Sequence, residues 1–203
     1  VRSSAASDVY KRQEEHEINY RQFNKKLELL NQILSLISDI NQASDEKEVK
    51  DCIPALLQYT GEYTDADRVY IFELMSEKQD YYSNTFEWCR EGIVPQIDNL
   101  IRISADSMPV WHKKFLCGET IIIHDLEKIR ETMPSEYDIL KVQDIHSLLV
   151  LPLFANTQLS GFIGLDNPEL VNPGISISLL SNAGGHLAST LTVSYTHLRA
   201  HET

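Results

Sequence analysis

The sequence predicts an α+β domain in which an antiparallel β-sheet is covered by helices. Three observations support this fold class. Two apolar runs within residues 147–168 flank a short polar connection, which is the pattern of a buried β-hairpin. A second pair of strand-like runs lies between residues 68 and 88. Long helical periodicity is confined to the segments before residue 60 and after residue 175.

Residues 14–41 are predicted to form one long helix with two apolar stripes. The first stripe has the alternating three- and four-residue spacing of a heptad seam and consists of Tyr20, Phe23, Leu27, Leu30, Leu34 and Ile37. The second stripe is confined to the later half and consists of Leu29, Ile33, Leu36 and Ile40. The seam favours a coiled-coil lead-in and a homodimer, whereas two stripes indicate a helix that also packs on a domain. An ordinary amphipathic core helix is the alternative.

A second helix is expected after Ser44, because acidic residues fill the first turn, where the helix dipole favours them. Pro54 is expected to kink this helix. Residues 68–75 and 81–88 are then predicted as two strands, because β-branched and aromatic residues are frequent there. The turn that joins these strands is expected at residues 77–80.

The middle of the chain is predicted to hold short elements. Residues 90–104 are expected to form a loop with a short helical piece, and residues 109–116 an amphipathic helix. A strand follows at residues 120–124. Two short helices, at residues 126–133 and 135–142, are expected to be separated by Pro134.

The hairpin at residues 147–168 is followed by a final helix. Residues 155–158 form the predicted connection of the hairpin. Gly161 and Gly164 lie inside its second run, where a missing side chain lets another backbone or a ligand approach closely. The final helix is expected at residues 175–191. Its inward-facing residues are predicted to be Leu179, Leu180, Ala183, Leu187 and Leu191.

Composition limits the possible functions. The chain has 203 residues, 42% hydrophobic and 24% charged, as in soluble globular proteins. Its net charge of −12, without a basic cluster, argues against nucleic-acid binding. No apolar run approaches the length of a membrane span. The three cysteines, Cys52, Cys89 and Cys117, are scattered, which favours reduced thiols and a cytoplasmic location.

The two ends of the chain differ in pattern from their neighbours. Residues 1–13 and 193–203 resemble translated sequencing-adaptor read-through. We therefore expect both tails to be artefacts that lie outside the fold. We also expect the native protein to continue at both ends, with an output domain missing from this sequence.

Several motifs occur in a fixed order along the chain. They are FEWC at 86–89, PQIDNL at 95–100, IIIHDL at 121–126 and LDNP at 165–168. Together they resemble a GAF domain over residues 27–191, of the bacterial subgroup found upstream of GGDEF diguanylate cyclase domains. The resemblance implies long terminal helices on one face of the sheet and short helices and loops on the other. It also implies a non-catalytic sensor that binds a small molecule, signals through its terminal helices and belongs to cyclic di-GMP signalling.

A ligand cavity is predicted between the sheet and residues 86–125, because short helices and loops there can cover one sheet face. Its aromatic walls are expected to be Tyr70, Phe72, Trp88, Trp111 and Phe115. Its polar groups are expected to be Asp98, Asn99, Asp125 and Asp166. Core packing and loop capping are the alternative roles of these residues. The sequence does not identify the ligand or a cofactor.

Other functions are weighed against the sensor. No common enzyme motif occurs, and the GGDEF signature itself is absent. The histidines 112, 124 and 146 lie on separate predicted elements, which argues against a metal site. Cys89 and Cys117 lack the following histidine usual in bilin-binding GAF domains, and the residues typical of cyclic-nucleotide GAF domains are not recognisable. A dimerisation scaffold without a ligand and a thiol-dependent methionine sulfoxide reductase of GAF fold remain as alternatives.

Overall fold

The computed structural model describes residues 2–76, 80–169 and 173–201, which form five helices and six strands. The helices are α1 (Arg2–Gln42), α2 (Glu46–Thr64), α3 (Pro109–Leu116), α4 (Pro134–Lys141) and α5 (Pro173–His201). The strands are β1 (Arg68–Ser76), β2 (Asp80–Cys89), β3 (Ile103–Ser104), β4 (Ile121–Ile123), β5 (Leu148–Ala155) and β6 (Gln158–Asp166). Short 3-10 turns precede α3, at Ala105–Ser107, and α4, at Leu126–Ile129.

The six strands form one sheet in the order β3-β2-β1-β6-β5-β4. Every neighbouring pair is antiparallel. Strand β1 lies at the centre and pairs with β2 on one side and with β6 on the other, so that Arg68 is opposite both Cys89 and Asp166. This sheet confirms the predicted α+β class.

Alternation along β1 separates two apolar layers. Val69 and Ile71 belong to the layer that the sheet shares with α1, α2 and α5. Tyr70 and Phe72 belong to the second layer, which the sheet shares with α3 and α4. The long helices therefore cover one face and the short helices the other, as the family resemblance implied.

Helix α1 uses its two stripes differently. The second stripe packs into the core, where Leu29, Ile33 and Ile40 are buried and Leu36 is half-buried. Four residues of the heptad seam are exposed, Tyr20 and Phe23 each 60%, Leu27 42% and Leu34 48%. The other two pack on the core, where Leu30 is half-buried and Ile37 is buried. The helix begins at Arg2, whereas the sequence predicted residue 14.

The terminal segments continue regular helices: α1 includes residues 2–13, and α5 extends through residues 193–201. Their assignment as artefactual tails stays a prediction.

The turn of the β5–β6 hairpin is tighter than predicted. Only Asn156 and Thr157 connect the strands, with φ angles of 48° and 71°. Positive φ at both positions suits the right-handed twist of a two-residue hairpin. A Cβ atom at Gly161 would overlap the carbonyl of Phe72, and one at Gly164 would overlap the ring of Tyr70. The predicted close approach at both glycines is confirmed.

Several local predictions differ from the structure. Helix α2 includes Pro54 in its interior, and the kink expected there stays a prediction. Its N-cap is Asp45, whose carboxylate accepts a hydrogen bond from the Glu48 backbone amide. Pro134 begins α4 instead of interrupting a helix, because the first helical position needs no N–H donor. The predicted helical piece within 90–104 is wrong: the segment is irregular and ends in β3. Residues 77–79 of the predicted turn lie outside the described residues.

Asn167 connects three segments just after β6. Its side-chain Nδ2 donates to Asp67 Oδ2 at 2.8 Å, and its Oδ1 accepts from the amides of His146 at 2.7 Å and Ser147 at 3.1 Å. Its φ angle of 50° is one that asparagine tolerates better than most residues. This residue therefore fixes the end of β6, where Asp166 enters the interior.

Gly61 tests the packing of α2 on the sheet. A Cβ atom there would overlap the six-membered ring of Trp88. We expect Gly61→Ala to lower the free energy of unfolding by about 1–3 kcal/mol, because overpacking forces side chains and backbone apart. Gly185→Ala in α5 is the control, since no atom lies within 4 Å of its added methyl group. We expect that variant to gain about 0.5–1 kcal/mol from helix propensity.

Chemical denaturation of the two variants measures this difference. Adding Trp88→Leu to Gly61→Ala should recover part of the lost stability. Equal effects of the two alanine substitutions would contradict the packing described here.

Candidate functional site

A cavity of about 40 Å³ lies between the sheet and the short helices α3 and α4. Its walls combine aromatic, aliphatic and polar side chains. They are Arg68, Tyr70, Phe72, Asn84, Glu87, Leu100, Ile103, Met108, Trp111, Ile139, Leu140, Gln143, Ile145, Phe162 and Asp166. About three water-sized groups fit into this volume.

Aromatic rings from the sheet and from α3 surround Phe162 of β6. Phe72 stacks on it with ring centroids 4.7 Å apart, and Phe115 lies 5.0 Å away. Trp111 meets Phe162 edge to face at 6.3 Å. The rings occupy most of this layer, which is why the remaining space is small.

A buried ion pair forms the polar end of the cavity. Arg68 Nε donates to Asp166 Oδ2 at 2.8 Å, and both side chains are almost fully buried. Tyr70 donates its hydroxyl to Asp166 Oδ1 at 2.8 Å. Arg68 Nη2 also donates to the Gln143 carbonyl at 2.9 Å. Because removal of one partner leaves an uncompensated buried charge, breaking such a pair costs about 3–5 kcal/mol.

Burial changes the titration of this cluster. Loss of hydration raises the pKa of Asp166 to about 6, although Arg68 and the Tyr70 hydroxyl both favour the carboxylate. Burial, followed by the Asp166 charge, raises the pKa of Tyr70 well above its usual value. Tyr70 is therefore a hydrogen-bond donor at neutral pH.

Glu87 organises the loop that closes one side of the cavity. Its Oε2 accepts from the amides of Gln96 at 2.8 Å and Ile97 at 3.0 Å. Its Oε1 accepts from Asn84 Nδ2 at 3.3 Å. The backbone N–H of Asn84 donates to the backbone carbonyl of Leu100 at 2.9 Å, so the loop is held at two places.

Glu136 of α4 positions α3. Its Oε1 accepts from the first amides of that helix, Val110 at 2.7 Å and Trp111 at 3.1 Å. Met108, the N-cap residue, provides no side-chain cap, so the buried glutamate takes this role. The Trp111 ring consequently has a defined place at the cavity.

Of the five predicted aromatic residues, three line the cavity, namely Tyr70, Phe72 and Trp111. Phe115 is fully buried in the same aromatic layer but does not line the cavity.

Trp88 lies on the opposite face, packed against Gly61 of α2, so its predicted place in the cavity wall is corrected. The reason is a bulge in β2. Ile71 pairs with Phe86 whereas Phe72 pairs with Asn84, so Thr85 is an extra residue that shifts the alternation.

The predicted polar groups also differ from those observed. Asp98 and Asn99 are exposed and do not line the cavity, because the hydrogen bonds of Glu87 turn this loop so that Leu100 faces inward. Asp125 caps the following 3-10 turn by accepting from the Glu127 amide at 3.1 Å. Of the predicted polar groups, Asp166 lines the cavity.

Sequence reasoning missed four polar groups of the cavity: Arg68, Asn84, Glu87 and Gln143. Two of these residues could have been recognised from the sequence pattern. Arg68 and Asn84 are polar residues inside runs that otherwise read as buried strands, and both are buried. Such residues need a partner in the interior. Glu87 and Gln143 carried no comparable signal.

The cysteines offer no activated thiolate at the cavity. Burial, with a further contribution from Glu87, raises the pKa of Cys89 to about 12. Burial also raises the pKa of Cys52 on α2. A reactive cysteine needs a lowered pKa. Cys117 is exposed after α3 and does not line the cavity.

Two kinds of feature are absent from the described part of the chain. No three or more histidine, cysteine or acidic side chains are arranged there to hold a metal ion. No helix there has the length and apolar character that crossing a bilayer requires.

Comparisons with known proteins identify relatives of the domain. The GAF domain family model matches residues 48–182. The methanogenesis regulatory histidine kinase FilI of Methanothrix harundinacea is 30% identical over 155 residues, in an alignment that covers 73% of this chain and 17% of that kinase. The chain therefore spans about a sixth of the kinase.

Two solved structures illustrate the shared fold. The GAF domain of an Acinetobacter phosphoenolpyruvate-protein phosphotransferase has a TM-score of 0.60 at 14% identity, covering 82% of this chain and 94% of that one. The phycoerythrobilin-bound GAF domain of a cyanobacterial phytochrome has a TM-score of 0.61 at 15% identity, covering 82% and 97%. At these identities the likeness concerns the fold alone.

The raised pKa of Asp166 predicts a pH-dependent stability. The usual pKa is 3.8 and the folded value about 6, so between these values the folded protein holds a proton that the unfolded chain releases. The free energy of unfolding should therefore fall as pH rises through this window, by about 1.4 kcal/mol per pH unit, and then level off.

Asp166→Asn is the reference for this measurement, because it has no titrating group at that position. Chemical denaturation of both proteins at pH 4, 5, 6 and 7 gives the difference in stability. Wild type should lose stability relative to the variant up to about pH 6, and Glu73, whose pKa burial also raises, contributes equally to both proteins. A relative gain over this window would show that Arg68 dominates and lowers the pKa of Asp166.

Proposed function

This chain belongs to the GAF domain family, and we propose that it is a sensory module that binds a small molecule in the cavity beside α3 and α4. Binding would change the arrangement of the terminal helices α1 and α5 and so regulate an output domain on the same polypeptide. A ligand can do this only if it binds two helix arrangements with different affinity.

The buried ion pair at the end of an apolar cavity carries this proposal. Ligand sites are commonly apolar clefts with a few convergent polar groups. Here aromatic rings supply the apolar surface, and Arg68, Tyr70 and Asp166 supply polar groups at one end. A layer needed only for stability is more simply built from apolar side chains.

The contacts of Lys26 support a route from this cavity to α1. Its Nζ lies 2.9 Å from Glu169 Oε2 and 3.2 Å from Asp65 Oδ2. Glu169 follows Asp166 by three residues, and Asp65 immediately follows α2. A change at the end of β6 can therefore reach the middle of α1 through one side chain.

The cavity of this chain does not fit a bilin such as the phycoerythrobilin bound by the phytochrome GAF domain. A cavity of about 40 Å³ is far smaller than the several hundred Å³ that sites for larger ligands occupy. Cys89 and Cys117 both lie within residues 86–125, but neither lines the cavity. We therefore propose a small ligand.

The output domain is proposed from two sources. The motif resemblance favours a GGDEF diguanylate cyclase and cyclic di-GMP signalling, whereas the FilI relative is a histidine kinase. Regulation of either enzyme through helices would use the same two-state principle. We propose the cyclase, in the cytoplasm, and retain the kinase as the alternative.

A dimerisation scaffold without a ligand is the second candidate function. The aromatic layer leaves little space, and this observation favours it. The reductase hypothesis has less support, because the raised pKa of Cys89 keeps that thiol protonated.

Ligand binding predicts a thermal shift that filling the cavity abolishes. In a screen of small metabolites, a ligand at a hundred times its Kd should stabilise the protein by about 2.7 kcal/mol. This corresponds to a rise in Tm of roughly 5–10 °C for a chain of this size. Ile139→Phe adds a ring to the cavity wall and should remove the shift.

Ile122→Phe is the matched control, because Ile122 is exposed on β4 and should leave the shift unchanged. If no metabolite stabilises the wild type, or if Ile139→Phe responds as the wild type does, the scaffold function is favoured.

The exposed seam of α1 predicts a parallel homodimer. Leu27→Glu with Leu34→Glu should give monomers, because both positions are exposed in the single chain and charges there would be buried at a coiled-coil seam. Both substitutions avoid the half-buried Leu30, which packs on the core.

Gln32→Glu with Ser35→Glu adds the same charge to the same helix away from the seam and should leave the dimer intact. Sedimentation equilibrium of the full chain at micromolar concentrations measures the difference. A monomeric wild type at high micromolar concentration would contradict this prediction.

A further inference from the structure

Two residues that line the cavity each carry a buried polar atom that lacks a hydrogen-bond partner among the described residues. These atoms are the acceptor Asn84 Oδ1 and the donor Trp111 Nε1. Asn84 is 5% exposed and Trp111 is 3% exposed, so bulk water does not reach them freely. Because buried polar atoms in proteins are nearly always paired, these two indicate what a ligand must offer.

The surroundings of Asn84 fix which of its atoms is the acceptor. Glu87 Oε1 lies 3.3 Å from one terminal atom of the Asn84 amide, and a carboxylate accepts only from the NH2 group. The carbonyl Oδ1 is therefore the atom without a partner. A ligand must present an N–H or O–H group to it.

Trp111 is equally constrained. The Glu136 carboxylate holds the start of α3, and the indole ring contacts Phe115 and Phe162 edge to face. An indole nitrogen is a donor only. A ligand must therefore present an acceptor to Nε1.

The charges at the cavity disfavour an anion. Its charged lining residues are one cation, Arg68, and two carboxylates, Asp166 and Glu87. Arg68 is already bound to Asp166 at 2.8 Å and to the Gln143 carbonyl at 2.9 Å. An entering carboxylate or phosphate would lose hydration without gaining a free cation.

Resting on the proposed function, we infer that the ligand is a small neutral molecule with a planar amide-type group, such as a carboxamide, a lactam or a urea. An amide offers one N–H donor for Asn84 and one C=O acceptor for Trp111. Its flat shape suits the spaces between aromatic rings, and its few atoms match a volume of about 40 Å³.

Acetamide, acetone and acetate test this inference, because each has four non-hydrogen atoms in the same planar arrangement. Acetamide has both the donor and the acceptor, acetone lacks the donor, and acetate is an anion. The signal is the indole N–H resonance of Trp111 in ¹⁵N-labelled full chain. Trp88 provides the internal control, since it lies on the opposite face of the sheet.

We expect acetamide to shift the Trp111 resonance and to bind about ten-fold more tightly than acetone, as one further hydrogen bond allows. Acetate should leave the resonance unchanged. Asn84→Leu, which keeps the size but removes the acceptor, should bring acetamide to the affinity of acetone. Trp88→Phe assigns the two indole signals.

Three results would overturn the inference: no effect of acetamide on Trp111, equal affinity for acetamide and acetone in the wild type, or tighter binding of acetate. The proposed function would still hold after any of these results if the metabolite screen finds a ligand that stabilises the wild type and does not stabilise the Ile139→Phe variant. If that screen also fails, the proposed function fails with it.

Discussion

The buried pair of Arg68 and Asp166 is the interaction on which the cavity depends. The two residues are opposite each other on the central strands β1 and β6, and both side chains enter the interior on the α3–α4 side. Arg68 also binds the carbonyl of Gln143, just after α4, and thereby ties the short helices to the sheet. Moving Arg68 away from Asp166 would leave a buried charge without a partner, which is energetically costly. The pair therefore sets the polarity of this end of the cavity.

The sequence predicted the helices and strands better than it predicted which face of the sheet each side chain occupies. Both hairpins, the long helices and α3 follow from periodicity and from turn residues, because these signals are local. Trp88 lies on the sheet face opposite to the predicted one because β2 contains one extra, unpaired residue. This residue is Thr85, which lies opposite Ile71 and Phe72 of β1. Simple alternation from Tyr82 would place Asn84, Phe86 and Trp88 together. With the bulge, Glu87 faces the cavity and Trp88 faces α2.

The polar side of the cavity was less predictable for a different reason. Asp98 and Asn99 are typical loop residues, and their direction depends on Glu87, which is distant enough in sequence that no pattern links them. Arg68 and Asp166 are nearly 100 positions apart and meet only because β1 pairs with β6. A polar residue inside a buried strand signals that a partner exists. The identity of that partner is tertiary information.

The segment from Asp166 to Glu169 joins the interior to the surface of the domain. Asp166 contacts Arg68 and Tyr70 at the cavity, Asn167 holds the neighbouring loops, and Glu169 binds Lys26 on α1. Because Asn167 has its side-chain oxygen and nitrogen engaged, this segment is better suited to move as a unit than to bend. A ligand that alters the hydrogen bonding of Asp166 would therefore act on Lys26, close to the exposed Phe23 and Leu27 of the seam. In the dimer that we propose, a small displacement at one cavity would be shared by two helices. This coupling would let a small cavity regulate the output domain that we propose.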